Sequence, residues 1–430
     1  MKKILSVLLL TLMIATLAGP IPVHAAGSVL YVKTATSGSG NCSSWANACT
    51  LQIALGQAQA TDEIWVQVGV YKPGAARTDS FALKNGVALY GGFLGTETNR
   101  DERDWLANPT ILSGDIDNND INTNGVVTNS TDIRGANAYH VVVSSDTDNT
   151  AILDGFTITA GQANDNDEGR REGGGLYNNG GSPTIRNIVF QGNQARADGG
   201  GMYNDAGSPI LKNVFFIKNS AGWGAGLHNN VGSSPSITNA IFFKNVASNG
   251  GGGIYNKESS SGTIFNASFY GNQVTTNNGL DGGGILLDNS SITVTNTILW
   301  GNIINPDANQ SRAQIAYAGE SSSDVADSIV QGGWPGNVYN NLDADPRFVN
   351  AEAGNLKLQG SSPAIDSGTN TGCPADDIEG TVRPQQIYAE SPICDMGAYE
   401  RELSSLAKIN VEIGGNSQGL YYLTTGEERR

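Results

Sequence analysis

The sequence is poor in what ordinary reactive sites are made from. Of its 430 residues only 3 are histidine and 4 are cysteine, and charged residues make up 15%. No phosphate loop, no Ser/His/Asp order and no thiol nucleophile can be read along it. Acids outnumber bases, 41 Asp+Glu against 25 Lys+Arg, so the electrostatic footprint of a nucleic-acid binder is lacking. After the first residues no apolar run approaches the roughly 20 positions needed to span a bilayer. Helical periodicity is nearly absent except from Ser44 to Ala60.

The one long apolar run stands at the start. Lys2 and Lys3 precede Ile4 to Ala18, which is too short to span a membrane, and Val23-His24-Ala25 supplies the small-residue ending. This predicts a signal peptide over 1–25, cleaved after Ala25, and a secreted or cell-surface protein with no transmembrane segment in the mature chain. Removing the two signal-peptide lysines leaves 23 bases against 41 acids, a net charge of −18. In an exported chain four cysteines read as two disulfides, Cys42 with Cys49 and Cys373 with Cys394, each closing a short loop.

Glycine, by contrast, is abundant at 56 residues, and it falls in repeats. The clearest is Gly173-Gly-Gly-Leu-Tyr-Asn178, followed by Gly199-Gly-Gly-Met-Tyr-Asn204, Gly224-Ala-Gly-Leu-His-Asn229, Gly251-Gly-Gly-Ile-Tyr-Asn256 and Gly282-Gly-Gly-Ile-Leu-Leu287, with periods of 26, 25, 27 and 31. In phase with it runs Asn-x-x-Phe-x-x-Asn, as Asn187/Phe190/Asn193, Asn213/Phe216/Asn219, Asn239/Phe242/Asn245, Asn266/Phe269/Asn272 and Asn296/Leu299/Asn302. Degenerate copies at Gly155/Ile158/Gly161 and Asp327/Val330/Gly333 flank it, and Ser-Pro-x-apolar recurs at Ser182, Ser208 and Ser234.

Three short strand signals per period, without two-residue hairpin turns, exclude helical hairpins and a meander. They predict an all-β fold, a right-handed parallel β-helix in which coils stack at about 4.8 Å and equivalent residues form columns. Phe190, Phe216, Phe242, Phe269 and Leu299 would form one inward stack, and Leu176, Met202, Leu227, Ile254 and Ile285 another. The Asn columns would take left-handed turn positions and bond amide to amide, with Gly161 and Gly333 as left-handed substitutes. The solenoid is expected over 26–370, clearest over 155–333, followed by a disulfide-closed cap over 371–405. Residues 406–430 read as a tail or the start of a further β-module.

The paired Gly-Gly-x-apolar and Phe-x-x-Asn motifs over Gly155–Gly333 resemble the repeats of polymorphic outer-membrane proteins. Ile64-Trp-Val, Gly69-Val-Tyr-Lys-Pro73 and Gly86-Val-Ala-Leu-Tyr-Gly-Gly-Phe93 look like the opening coils of exported β-helix proteins. Ser362-Pro-Ala-Ile-Asp-Ser-Gly368, Gly380-Thr-Val-Arg-Pro384 and Asp395-Met-Gly-Ala-Tyr-Glu400 resemble their closing choice-of-anchor segment. The resemblance implies a pectate-lyase-like solenoid and a surface or adhesin-like role. It decides no function, because the same fold also carries polysaccharide-cleaving enzymes.

Three groups of residues are candidates for chemistry. Asp115, Asp117, Asn119 and Asp120 put oxygens in the spacing of a loose calcium loop, although Asp120 and Val126 stand where an EF-hand needs Gly and Glu. Calcium is the one cofactor this raises; the plainer role is a turn whose Asp and Asn side chains cap their own backbone. Asp165-Asn-Asp167-Glu168 is a weaker case. Glu172 and Asp198 precede consecutive glycine motifs and would stack within about 5 Å as the acid pair of a glycosidase, with Arg170 and Arg171 nearby to serve a lyase. Against this, Trp223 and Gly250 interrupt the column before Asp281, and arginines beside acids are commonly ion pairs.

Strict alternation would turn Tyr177, Tyr203, His228 and Tyr255 outward, and in a second column Gln191, Ile217, Phe243, Tyr270 and Trp300. Exposed aromatics on a flat face would form a stacking platform for sugar rings or a partner; the equal alternative is that a long turn folds over them, or that cross-coil stacking alone stabilises the sheet. His228 breaks a tyrosine series, which favours ladder packing over catalysis, and His140, heading Val141-Val-Val143, reads as structural. The expected function is therefore a non-catalytic, exported surface or matrix protein that binds glycans or a partner. The alternative is a polysaccharide lyase or glycoside hydrolase acting on an acidic polysaccharide.

Overall fold

A computed structural model describes residues 27–276, 281–304, 310–334 and 339–402. The expected signal peptide, 1–25, and the 406–430 segment lie outside the described residues. The chain is a right-handed parallel β-helix. Its strands fall into a 14-stranded, an 8-stranded and a 6-stranded sheet among the described residues, hereafter the long, second and third sheets. A central coil gives one strand to each, as in Leu176–Asn179 (second), Thr184–Gln191 (long) and Gln194–Ala195 (third).

The repeat sets the register. Phe190 pairs with Phe216, Phe216 with Phe242 and Phe242 with Phe269, and the rings stack at centroid separations of 4.8, 4.8 and 4.4 Å, wholly buried. Leu176, Met202, Leu227, Ile254 and Ile285 pair in the same way on the second sheet. Each buried phenylalanine contributes roughly 1.5–3 kcal/mol by leaving water.

The asparagines divide the labour. Asn187, Asn213, Asn239, Asn266 and Asn296 hold φ between 49° and 55°, so each kinks the long-sheet strand, and Ile185 and Ile188 both point inward although three residues apart. Asn193, Asn219, Asn245, Asn272 and Asn302 are buried, each Nδ2 donating to the Oδ1 of the next at 2.8–3.0 Å. Here the left-handed residue is the one before, such as Gly192 or Lys218. The expected left-handed glycine is found at Gly333 but not at Gly161. At Gly161 a Cβ would lie 1.8 Å from the Gly174 carbonyl oxygen, so crowding demands glycine; Ala160 takes the positive φ instead.

The solenoid stops short of residue 370. Its last ladder strands are Ser322–Ala326 and Ile329–Val330, after which an antiparallel pair, Phe348–Asn350 with Asn355–Leu358, turns back over the long sheet. Residues up to Glu400 follow it there, because Ile365, Ile378, Met396 and Tyr399 pack with Ile241, Phe243 and Ile298 in a second apolar cluster. Both disulfides form as expected, Cys42–Cys49 and Cys373–Cys394. No helix among the described residues is long and apolar enough to cross a membrane.

Candidate functional site

The glycine motif builds the rim of the second sheet. Gly173, Gly199, Gly224, Gly251 and Gly282 all have positive φ, and at the first four a Cβ would strike the residue that follows the motif leucine, Tyr177, Tyr203, His228 or Tyr255. The chain therefore turns tightly against those rings. Gly173 N–H donates to the Asp198 carbonyl at 2.9 Å and Gly199 N–H to that of Trp223 at 3.0 Å. The column Glu172, Asp198, Trp223, Gly250, Asp281 thus exists, with its backbone bonded coil to coil.

Its charges are spent locally. Glu172 is buried; one oxygen accepts the Gly169 N–H at 2.9 Å and the other the Arg171 Nε–H at 2.7 Å. That carboxylate holds the Arg171 guanidinium more firmly protonated than usual. Arg171 also reaches Glu168 at 3.4 Å, Arg170 pairs with Asp165 and Asp167, and Asp281 pairs with Arg312 at 3.0 Å. Asp198 is the most accessible of the column's acids, its side chain 23% exposed, with Oδ1 3.2 Å from His228 Nδ1. The distance is that of an ion pair, yet neither ring nitrogen of His228 has an aligned hydrogen-bond partner.

The first aromatic column is a packed ladder rather than a platform. Tyr177 stacks on Tyr203 at 5.6 Å, Tyr203 meets His228 edge-on at 5.3 Å and His228 lies 4.7 Å from Tyr255, which Trp223 covers at 5.2 Å. Tyr203, His228 and Tyr255 retain only 8, 2 and 4% exposure. The rings point outward, and of the two readings of this column the covered one is found, because the glycine turn and Trp223 fold over the rings. Burial pushes the phenols of Tyr203 and Tyr255 up, and Tyr255 donates to Asp288 Oδ2 at 2.9 Å.

The second column is covered from outside the repeat. Gln191 Nε2 donates to the Thr128 carbonyl, and Val127 lies against Gly192. Farther along, Ile217, Phe243, Tyr270 and Trp300 lie beneath the returning C-terminal segment. Gly354 abuts the Phe243 ring, Phe348 meets Tyr270 edge-on at 6.0 Å, and Glu352 accepts from Tyr270 and Lys244, both at 2.8 Å. Asn266 Nδ2 donates to the carbonyls of Asp395 and Gly397, and the Thr369 N–H donates to Asn296 Oδ1.

That segment contains a charged group which sequence reasoning passed over. Arg383, fully buried, lies 3.7 Å from Glu400 and donates to the carbonyls of Asp395 and Gly397. Asp395 accepts the N–H groups of Asp366 and Arg401, and burial raises its carboxyl to about 7; burial also raises Glu400. The signal was present in Gly380-Thr-Val-Arg-Pro384 and Asp395-Met-Gly-Ala-Tyr-Glu400, where charged residues stand among small and apolar ones.

In the acidic loop the oxygens of Asp115, Asp117 and Asp120 mostly cap the backbone. Asp115 accepts the Asn119 N–H, Asp117 the Ala136 N–H and the Asn119 amide, and Asp120 the Arg134 N–H and the Asn137 amide. Burial raises the Asp120 carboxyl. Among the described residues no group of three or more His, Cys, Asp and Glu side chains is placed to hold a metal ion. His140 is half-buried, with its ring nitrogens 3.0 and 2.6 Å from the carbonyl oxygens of Gly173 and Gly169, and desolvation lowers its pKa.

No family model matches the sequence, and no match is found among curated proteins. Among solved structures the chain is similar to the crystal structure of pectate lyase Pel9A, at 12% identity and a TM-score of 0.37, over 88% of this chain and 97% of that one. A likeness of that degree assigns neither a reaction nor a site.

Proposed function

We propose that the chain is an exported, non-catalytic β-helix protein of the cell surface or matrix that binds a glycan or a partner. The observation that carries this reading is the state of Glu172. A glycosidase acid must offer an oxygen to a substrate, and both of its oxygens are committed inside the 168–173 turn. Arg170 and Arg171, the candidate base or clamp of a lyase, are neutralised in the same turn. Cys42–Cys49 and Cys373–Cys394 suit an oxidising, extracellular setting.

The test is incubation of the mature protein with pectin, alginate and neutral polysaccharides, with and without calcium, reading unsaturated and reducing ends. No product, together with retention on a glycan array, is expected. Product that disappears in Glu172→Ala or Asp198→Ala would establish the polysaccharide lyase or hydrolase instead.

A further inference from the structure

Both aromatic columns are largely covered, and a cleft that combines polar and apolar walls opens beside the first coils. A side cleft of about 670 Å³ lies between the start of the helix Leu51–Gln57, the strand Gly69–Tyr71 and the loop that leaves Thr110–Ser113. Ligand pockets commonly measure about 300–1,000 Å³ and combine apolar walls with a few converging polar groups. Leu51, Tyr71 and Val127 supply buried apolar wall here.

The polar lining includes Lys72, Asp115, Asn118, Asn122, Gln52 and Ser113. Asp115 is 6% exposed, and only its Oδ1 takes a backbone N–H, from Asn119 at 3.1 Å. Its Oδ2 lies 4.0 Å from Lys72 Nζ, which donates to Asn118 Oδ1 at 2.6 Å. A carboxylate oxygen, an ammonium and side-chain amides thus stand together at one wall. Such a set accepts from and donates to hydroxyl groups at once.

Charge narrows the ligand. Lys72 is the one cation lining the cleft among the described residues, and Asp115 and Asn118 already face it. A uronate would bring its carboxylate up to Asp115 on a mature chain with 23 bases against 41 acids, net −18. We propose that this cleft binds a neutral saccharide, with Asp115 accepting from its hydroxyls, Lys72 and the amides donating to them, and the apolar wall taking its C–H face. The inference rests on the reading of the chain as a glycan binder and supplies that binder's site and ligand class.

The test is calorimetry of the mature protein with neutral tetrasaccharides of cellulose, xylan and mannan, and with tetragalacturonate as the acidic probe. At least one neutral probe is expected to bind, tenfold or more weaker in Lys72→Met and Asp115→Asn, with tetragalacturonate weaker still. Because Asp115→Asn touches a buried cap, Thr34→Trp, at the exposed rim, serves as a second block and is expected to abolish binding without moving the melting temperature. Neutral probes bound equally by all three variants would overturn the cleft and leave the glycan-binding reading standing. Tighter binding of tetragalacturonate would overturn the ligand class. No retention of any glycan would remove the reading and the cleft together, whereas cleavage of a polysaccharide with cleft binding intact would remove only the non-catalytic reading.

Discussion

The two outward aromatic columns start from the same rule and are closed by different parts of the chain. On the second sheet, Tyr203, His228 and Tyr255 are sealed, and Tyr177 half-covered, by residues of their own or the adjoining coils, Gly173, Gly199 and Trp223. On the long sheet, Phe243 is sealed, and Tyr270 and Trp300 half-covered, by a segment whose Glu352 is 108 residues from the Lys244 it pairs with. A local cover forms with the coil itself. A distant one is a layer docked on the sheet through a shared apolar cluster and bonds to Asn239, Asn266 and Asn296, and is expected to lift while the solenoid remains.

That difference is open to disruption. Arg383→Met leaves Asp395 and Glu400 buried without their cation, a loss of about 3–5 kcal/mol for a broken buried pair. The C-terminal segment is expected to undock in a separate, earlier melting transition, with new proteolytic sites near Phe348–Leu358 and an intact solenoid core. A single transition at the wild-type temperature would mean that the segment is no separate layer. Phe243→Ala removes a ring 6% exposed between sheet and segment. Roughly 3 kcal/mol should be lost, again in the early transition; the same loss spread over the main one would place Phe243 in the solenoid's own stability.

The contrast also explains what could be read from the sequence. The register, the inward phenylalanine and leucine stacks and the buried Asn193 ladder follow from a period near 26, since identical neighbours at one coil spacing contact one another. Sidedness was legible too, because it follows from alternation. Exposure was not. Tyr203 and Phe243 point outward as expected, yet whether anything lies over them depends on a φ near 65° at Gly199 in one case and on the path of residues 348–400 in the other. No periodicity encodes that path. The Lys72–Asp115 wall was half visible: the acidic run stood out, but its lysine lies on another coil.

The distant layer should also respond to pH where the local cover does not. Asp395 has its carboxyl raised to about 7, and burial raises Glu400 as well. Unfolded, both titrate near ordinary carboxylate values, so the folded segment binds more protons between about pH 4 and pH 7. Its stability is therefore full below about pH 4, falls as pH rises toward about 7 and levels off above it, a loss of roughly 3 kcal/mol between about pH 5 and pH 9. Melting the protein across that range checks the sign: the early transition should move down with rising pH. Movement in the opposite direction would mean that Arg383 keeps both carboxylates ionised.

The smallest expected effect falls on the local cover. His228 buries two ring nitrogens without aligned partners, while its ring packs between Tyr203 and Tyr255. A buried polar atom left unpaired costs about 1–3 kcal/mol, and replacing it by an apolar group of the same shape is close to neutral or stabilising. His228→Phe keeps the ring and discards the nitrogens, so stability should stay within about 1 kcal/mol of wild type, in the stabilising direction. Equilibrium denaturation of the two proteins measures it. If the variant instead loses about 2 kcal/mol or more, the 3.2 Å approach to Asp198 is an ion pair that holds the rim together. The ladder would then be closed by charge as well as by packing.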